Sequence, residues 1–137
     1  MNKRLTLLLS FLVLAVAPLS GCETTGVRTI SPVAVAGVPF RLGHFASLNP
    51  DCSLTGAVVV RVVKAPDHGR VTVLAGKGYT NFVAANPRQH CNFRATPGVN
   101  AVYTSDPGYV GPDSAALDII FPTGEERQYT FALNVKS

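Results

Sequence analysis

Ala115-Ala116-Leu117-Asp118-Ile119-Ile120-Phe121, the link Pro122-Thr123-Gly124-Glu125, and Gln128-Tyr129-Thr130-Phe131-Ala132-Leu133-Asn134-Val135 decide the fold. Successive side chains of a strand point to opposite faces. In the second run Tyr129, Phe131, Leu133 and Val135 therefore share one face, while Gln128, Thr130, Ala132 and Asn134 share the other. In the first run Ala115, Leu117, Ile119 and Phe121 line up opposite Asp118. Two half-apolar strands joined by a Pro- and Gly-containing link predict an antiparallel hairpin with one face in a core and one in water.

Working outward, the same texture runs through the chain. Glycine and proline are spread between β-branched runs, and no segment carries a helical stripe of useful length. Strands are predicted at Val33 to Val35, Phe40 to Phe45, Ala57 to Lys64, Arg70 to Leu74, Tyr79 to Ala84, Ala101 to Thr104, Ala115 to Phe121 and Gln128 to Val135. Thr96-Pro97-Gly98-Val99 and Asp106-Pro107-Gly108-Tyr109 both read as type II turns, with Pro where φ near −65° is wanted and Gly where φ must be positive. The expectation is an all-β sandwich of about seven or eight short strands. Within Ala57 to Lys64, Val58, Val60 and Val62 should point inward, leaving Val59, Arg61 and Val63 outward. A half-apolar outward face is either covered by a neighbour or is a contact surface, so these three residues are the candidate protein-binding set.

The start of the chain has a separate logic. Lys3 and Arg4 precede the apolar run Leu5 to Leu19, and small Ser20 and Gly21 follow. A positive start, an apolar middle and a small-residue exit are the parts of a secretory signal. The run is shorter than the roughly 20 apolar residues that span a bilayer. Leu19-Ser20-Gly21-Cys22 resembles the bacterial lipobox, which implies cleavage before Cys22 and lipidation of its thiol. Several acyl chains, at about 0.8 kcal/mol per buried methylene, would hold a small domain at a membrane. Residues 1–21 are thus expected as leader and 22–32 as lipidated cysteine and tether, with a reach of about 17 Å by flexible-chain scaling. Residues 33–137 form the domain. Glu23 stands where an Asp commonly signals inner-membrane retention in such lipoproteins, which points to the outer membrane.

Setting Cys22 aside leaves Cys52 and Cys91, an even pair in an exported chain, where oxidation is the default. Their disulfide would stabilise the fold by about 4 kcal/mol through the loop it closes. A metal site from Cys52, Cys91 and His90 is the sharper alternative, but the close cysteine spacing of a zinc site is missing, so no metal or cofactor is expected.

Two further stretches carry a resemblance. Ala65-Pro66-Asp67-His68-Gly69-Arg70-Val71-Thr72 is followed by Tyr103-Thr104-Ser105-Asp106-Pro107-Gly108-Tyr109-Val110-Gly111-Pro112-Asp113-Ser114. Together they resemble the bacterial Ig-like, cadherin-like repeat, with Pro-x-His-Gly-x-Val in its first half and a Tyr-Thr…Gly…Gly-x-Asp-Ser run in its second. The chain departs in carrying Ser105 where Pro is common, Ala115 where an aromatic is common, two cysteines, and one copy rather than an array. The resemblance implies an Ig-like sandwich over roughly Pro66 to Val135 and places His68 in a turn.

Chemistry is sparse. The formal net charge of +4 includes Lys3 and Arg4, which leave with the leader, so nucleic acid is a poor partner. There is no Gly-x-Ser-x-Gly elbow and no His-Glu-x-x-His, and His44, His68 and His90 share no motif, so no catalytic residue is expected. Asp113 should accept backbone N–H bonds across its loop, as Asx turns do. Asp106 and Asp113 do not make a calcium loop, and Glu125-Glu126 reads as a solvated hairpin tip. Arg88, His90 and Arg94 form a modest basic patch around Cys91 that could meet anionic lipid or glycan. The reading is a non-enzymatic, membrane-anchored envelope lipoprotein whose partner is an envelope protein. A hydrolase inhibitor using the Ala85 to Asn100 loop and a glycan- or calcium-binding module are the alternatives.

Overall fold

The computed structural model describes residues 26–137. The leader, Cys22 and Glu23 lie outside the described residues. Ten strands form: β1 (Arg28–Ile30), β2 (Val33–Val35), β3 (Phe40–Phe45), β4 (Ser47–Leu48), β5 (Leu54–Gly56), β6 (Val59–Lys64), β7 (Gly69–Gly78), β8 (Thr96–Ser105), β9 (Gly111–Ile120) and β10 (Glu126–Lys136). The helical element is a 3-10 turn, Gln89–Phe93, between β7 and β8. Among the described residues no helix is long and apolar enough to cross a membrane.

Two sheets pack face to face. The first runs β1-β10-β9-β6, with β2 also along β10; the second runs β3-β8-β7. The orders β10-β9-β6 and β3-β8-β7 are the G-F-C and B-E-D orders of immunoglobulin-like sandwiches. A small β4-β5 ribbon stands beside them. The β9–β10 hairpin is as the alternation predicts: Ala115, Leu117, Ile119, Phe131, Leu133 and Val135 are buried. They pair antiparallel in one register from Glu126↔Ile120 to Val135↔Gly111. Gly124, at φ 85°, closes the link, with Gly124 N–H donating to Phe121 and Phe121 N–H to Glu125. Opposite them Ala101 and Tyr103 of β8 complete the core, with Phe40, Leu42, Phe45 and Val71 packed against it.

Several expectations change. The strands number ten rather than seven or eight, because β4, β5 and β1 are short pieces without alternation long enough to notice. Pairing begins at Arg28, ahead of Val33, since Arg28 to Ile30 lies parallel to Tyr129 to Phe131. Tyr79 to Ala84 is not a strand but part of the loop between β7 and β8. Thr96-Pro97-Gly98-Val99 is not a turn but the start of β8, paired with Ala75 to Gly78. A Cβ on Gly98 would lie 2.6 Å from the Phe45 carbonyl, so its glycine serves close approach of chains. The second turn holds: Gly108 has φ 76° and Tyr109 N–H donates to Asp106. Val62 is 38% exposed rather than inward, because the ladder to β9 slips between Val62 and Lys64 and β6 bulges there.

Candidate functional site

Three places gather the chemistry-bearing side chains. The first is the side of the sandwich where β6 and β7 stand. Each pairs on one side only, β6 with β9 and β7 with β8, so two strand edges lie free of any other described strand. At one end of this side, where the β5–β6 connection meets β7 and β8, lies a groove of about 400 Å³ lined by Leu54, Ala57, Val58, Ala75, Pro97 and Val99 among others. Val59 and Val63 are each 47% exposed and Arg61 is exposed. Among the described residues no element covers this outward face. Arg61 stands level with Asp118, whose carboxylate accepts from Gln128 Nε2 at 3.0 Å. Lys64 Nζ donates to Ser114 Oγ across the same pair of strands.

The second place is the disulfide. Cys52 and Cys91 are bonded with Cα atoms 5.6 Å apart. This bridge does not join the two sheets. It ties the β4–β5 turn to the 3-10 turn, and Leu48, Ala46 and Phe82 pack around it as a small separate core. Cys52 sits at φ 68°, a left-handed conformation costly for a side chain. The neighbouring Asp51 carboxylate holds that turn by accepting from Ser53 N–H at 3.0 Å and Ser53 O–H at 2.6 Å, which keep its pKa below the ordinary value. His90 Nε2 lies 3.8 Å from Cys91 Sγ, so the three residues weighed as metal ligands do come together. With the sulfurs bonded to each other neither is a thiolate, and thiolate is the form that binds metal. The basic patch divides. Arg94 and His90 are exposed, whereas Arg88 donates through Nε to the Leu48 carbonyl. Between them Phe93 projects, 77% exposed.

The third place is a cleft of about 500 Å³ at the end of the sandwich, between the β9–β10 hairpin and the β7–β8 loop. Arg28, Arg88 and Arg127 line it with Phe45, Phe121 and Tyr129. Phe45 and Tyr129 have ring centroids 5.9 Å apart. Arg127 lies 5.0 Å from the centre of the Phe121 ring and bonds Glu125 at 2.7 Å. That bond holds the guanidinium further up from its already high pKa. Nothing in sequence spacing marks this cleft, since five separated stretches build it.

The remaining residues hold structure. Asp113 is a buried carboxylate that accepts from Asp67 N–H (2.9 Å), His68 N–H (3.2 Å), Ser114 N–H (2.8 Å) and Tyr103 O–H (2.8 Å). Burial pushes its pKa up, but the Tyr103 bond and then the three amides outweigh it, and the net shift is downward. Tyr103 is raised well above the phenol range, by burial first and then by Asp113. Asp113 thus accepts backbone N–H groups, but from within β9 and mainly from the β6–β7 connection at Asp67 and His68, not across a loop of its own as an Asx turn would. His68 stacks on Tyr109 at 4.0 Å, His44 Nδ1 donates to Asn100 Oδ1 at 3.0 Å, and His90 is at the disulfide. The three histidines lie in three different places. No family model, curated protein or solved structure matches the chain.

Proposed function

We propose that the chain is a lipid-tethered, non-catalytic module of the bacterial cell envelope that docks an extended segment of another envelope protein along β6. The observation that carries this is the open side of the sandwich. There a free strand edge carries exposed Val59 and Val63, and Val58, just before it, lines an apolar groove; strand addition uses such an edge, main-chain bonds giving affinity and alternate side chains specificity. The bulge at Val62 to Lys64 and the lysine itself guard the edge against self-association. The lipobox resemblance at Cys22 supports the tether.

Photo-crosslinking probes at Val59, Val63 and, as a control, Asn134 on the outer face of β10 test the reading in intact cells. One protein captured from the first two sites, lost with Val59→Lys/Val63→Lys and diminished with Cys22→Ala, is the expected result. Equal capture from Asn134, or none from any site, would refute it.

A second reading rests on Phe93. A disulfide-braced loop presenting one exposed aromatic between His90 and Arg94 is a preorganised anchor, which suits an inhibitor because little entropy is lost on binding. A purified chain that slows no protease or cell-wall hydrolase would remove that reading.

A further inference from the structure

We propose that the cleft between the β9–β10 hairpin and the β7–β8 loop binds an acidic oligosaccharide, a run of sugar rings carrying carboxylates. Its volume of about 500 Å³ falls within the span of small-molecule sites, roughly 300–1,000 Å³. Three guanidinium groups from separate parts of the chain converge there: Arg28 from β1, Arg88 from the loop and Arg127 from β10. The lone carboxylate in the lining, Glu125, is already engaged by Arg127 Nε. The cleft therefore carries a surplus of positive charge.

Arg88 is held from behind. Its Nε is taken by the Leu48 carbonyl, while its terminal nitrogens make no bond to another described residue. A guanidinium edge with parallel N–H groups matches the two oxygens of a carboxylate. The rings of Phe45, Phe121 and Tyr129 are half-buried. Arg127 already stands over the Phe121 ring, so Phe45 and Tyr129 are the rings left to meet the weakly positive C–H face of a pyranose. Asn81 and Thr123 add amide and hydroxyl groups that can bond sugar hydroxyls. An anionic lipid headgroup or an acidic peptide would use the cations but not the rings together with the amide and hydroxyl groups of the same lining. The inference does not depend on which protein meets β6.

The full chain, purified in detergent micelles, is titrated with tri-galacturonate by calorimetry and by amide chemical shifts. Parallel titrations use the fully methyl-esterified trimer, phosphatidylglycerol vesicles and tri-glutamate. Saturable binding of tri-galacturonate is expected, with shifts at Phe45, Arg88 and Tyr129 and about tenfold weaker binding of the ester. The Arg28→Gln/Arg127→Gln variant should bind about tenfold more weakly at unchanged thermal midpoint, and Arg70→Gln, on exposed β7, should bind as the unaltered chain does. Equal affinity for acid and ester, undiminished binding by the double variant, or a response confined to the vesicles or to tri-glutamate would overturn the proposal.

Discussion

Replacing Asp113 with alanine is the sharpest test of what joins the two sheets. The carboxylate takes four donors, and Tyr103, which supplies one of them, is wholly buried. A hydrogen bond to a charged group contributes about 1.5–3 kcal/mol, and a buried donor left without a partner costs about 1–3 kcal/mol. The amides of Asp67, His68 and Ser114 lie nearer the surface, where water can replace the lost acceptor. Asp113→Ala should therefore destabilise the domain by about 3–5 kcal/mol, less than the full sum of four bonds. Tyr103→Phe removes one donor and leaves three amides on the carboxylate, so it should cost about 1–2 kcal/mol. In the Asp113→Ala background the same change should cost clearly less, because the hydroxyl then keeps only its long bond to the His68 carbonyl, 3.4 Å. Urea unfolding followed by circular dichroism gives the four free energies of this cycle, and the absence of tryptophan makes that probe the practical one. A loss below about 1 kcal/mol for Asp113→Ala, or strictly additive effects, would refute the assignment of Asp113 as the pin between sheets.

Because the folded-state pKa of Asp113 is depressed, its contribution is present above the unfolded carboxylate value near 3.9 and is lost as pH falls through the lower folded value. The stability gap between the unaltered chain and Asp113→Asn should thus be full at pH 6 and begin to narrow near pH 4, closing only below the lowered folded value, as urea midpoints across that range would show. Reduction of Cys52–Cys91, or Cys91→Ser with Cys52→Ser, should cost up to about 4 kcal/mol. It should open the β7–β8 loop to protease while leaving the sheet signal in circular dichroism, since the bridge lies outside both sheets. Gly69→Ala should destabilise by about 2 kcal/mol or more in thermal unfolding, because the added Cβ would lie 2.5 Å from the Thr104 carbonyl and 2.9 Å from Ser105 Cα. Val59→Lys should change stability by under about 0.5 kcal/mol, since the residue already faces water, so any loss of partner capture reports binding and not folding.

How much of this was readable from residues alone depends on how far apart the interacting parts lie. The β9–β10 hairpin was legible because its alternation and its turn fall within one short stretch, and the Asp106 to Tyr109 turn because proline and glycine act on their own φ angles. The pairing of Cys52 with Cys91 followed from counting. Tyr79 to Ala84 shows why local propensity then stops being enough. Its β-branched and aromatic residues suit a strand, yet among the described residues no strand lies beside it. Instead the side chain of Asn92 takes the place of a neighbouring strand, accepting from Phe82 N–H at 2.9 Å and donating to the Phe82 carbonyl at 2.8 Å. The Phe82 ring meanwhile goes to the disulfide core. One amide side chain satisfies the backbone that a ladder would otherwise have to satisfy, and its identity at position 92 carries no periodic signal.

The arginine-lined cleft extends the same reasoning from backbone to site. Arg28, Phe45, Arg88 and Arg127 are dispersed over most of the chain and share no spacing. They meet because β1 runs parallel to β10, because β3 brings Phe45 to Val99 of β8, and because the disulfide anchors the loop that carries Arg88 near the end of β3. Each of those three constraints is a long-range pairing. Breaking the third by reduction should therefore weaken binding in the cleft even though neither cysteine lines it. A reduced chain that retained tri-galacturonate binding unchanged would show that Arg88 is placed by its Leu48 contact alone, and the bridge would then serve the Phe93 loop and not the cleft.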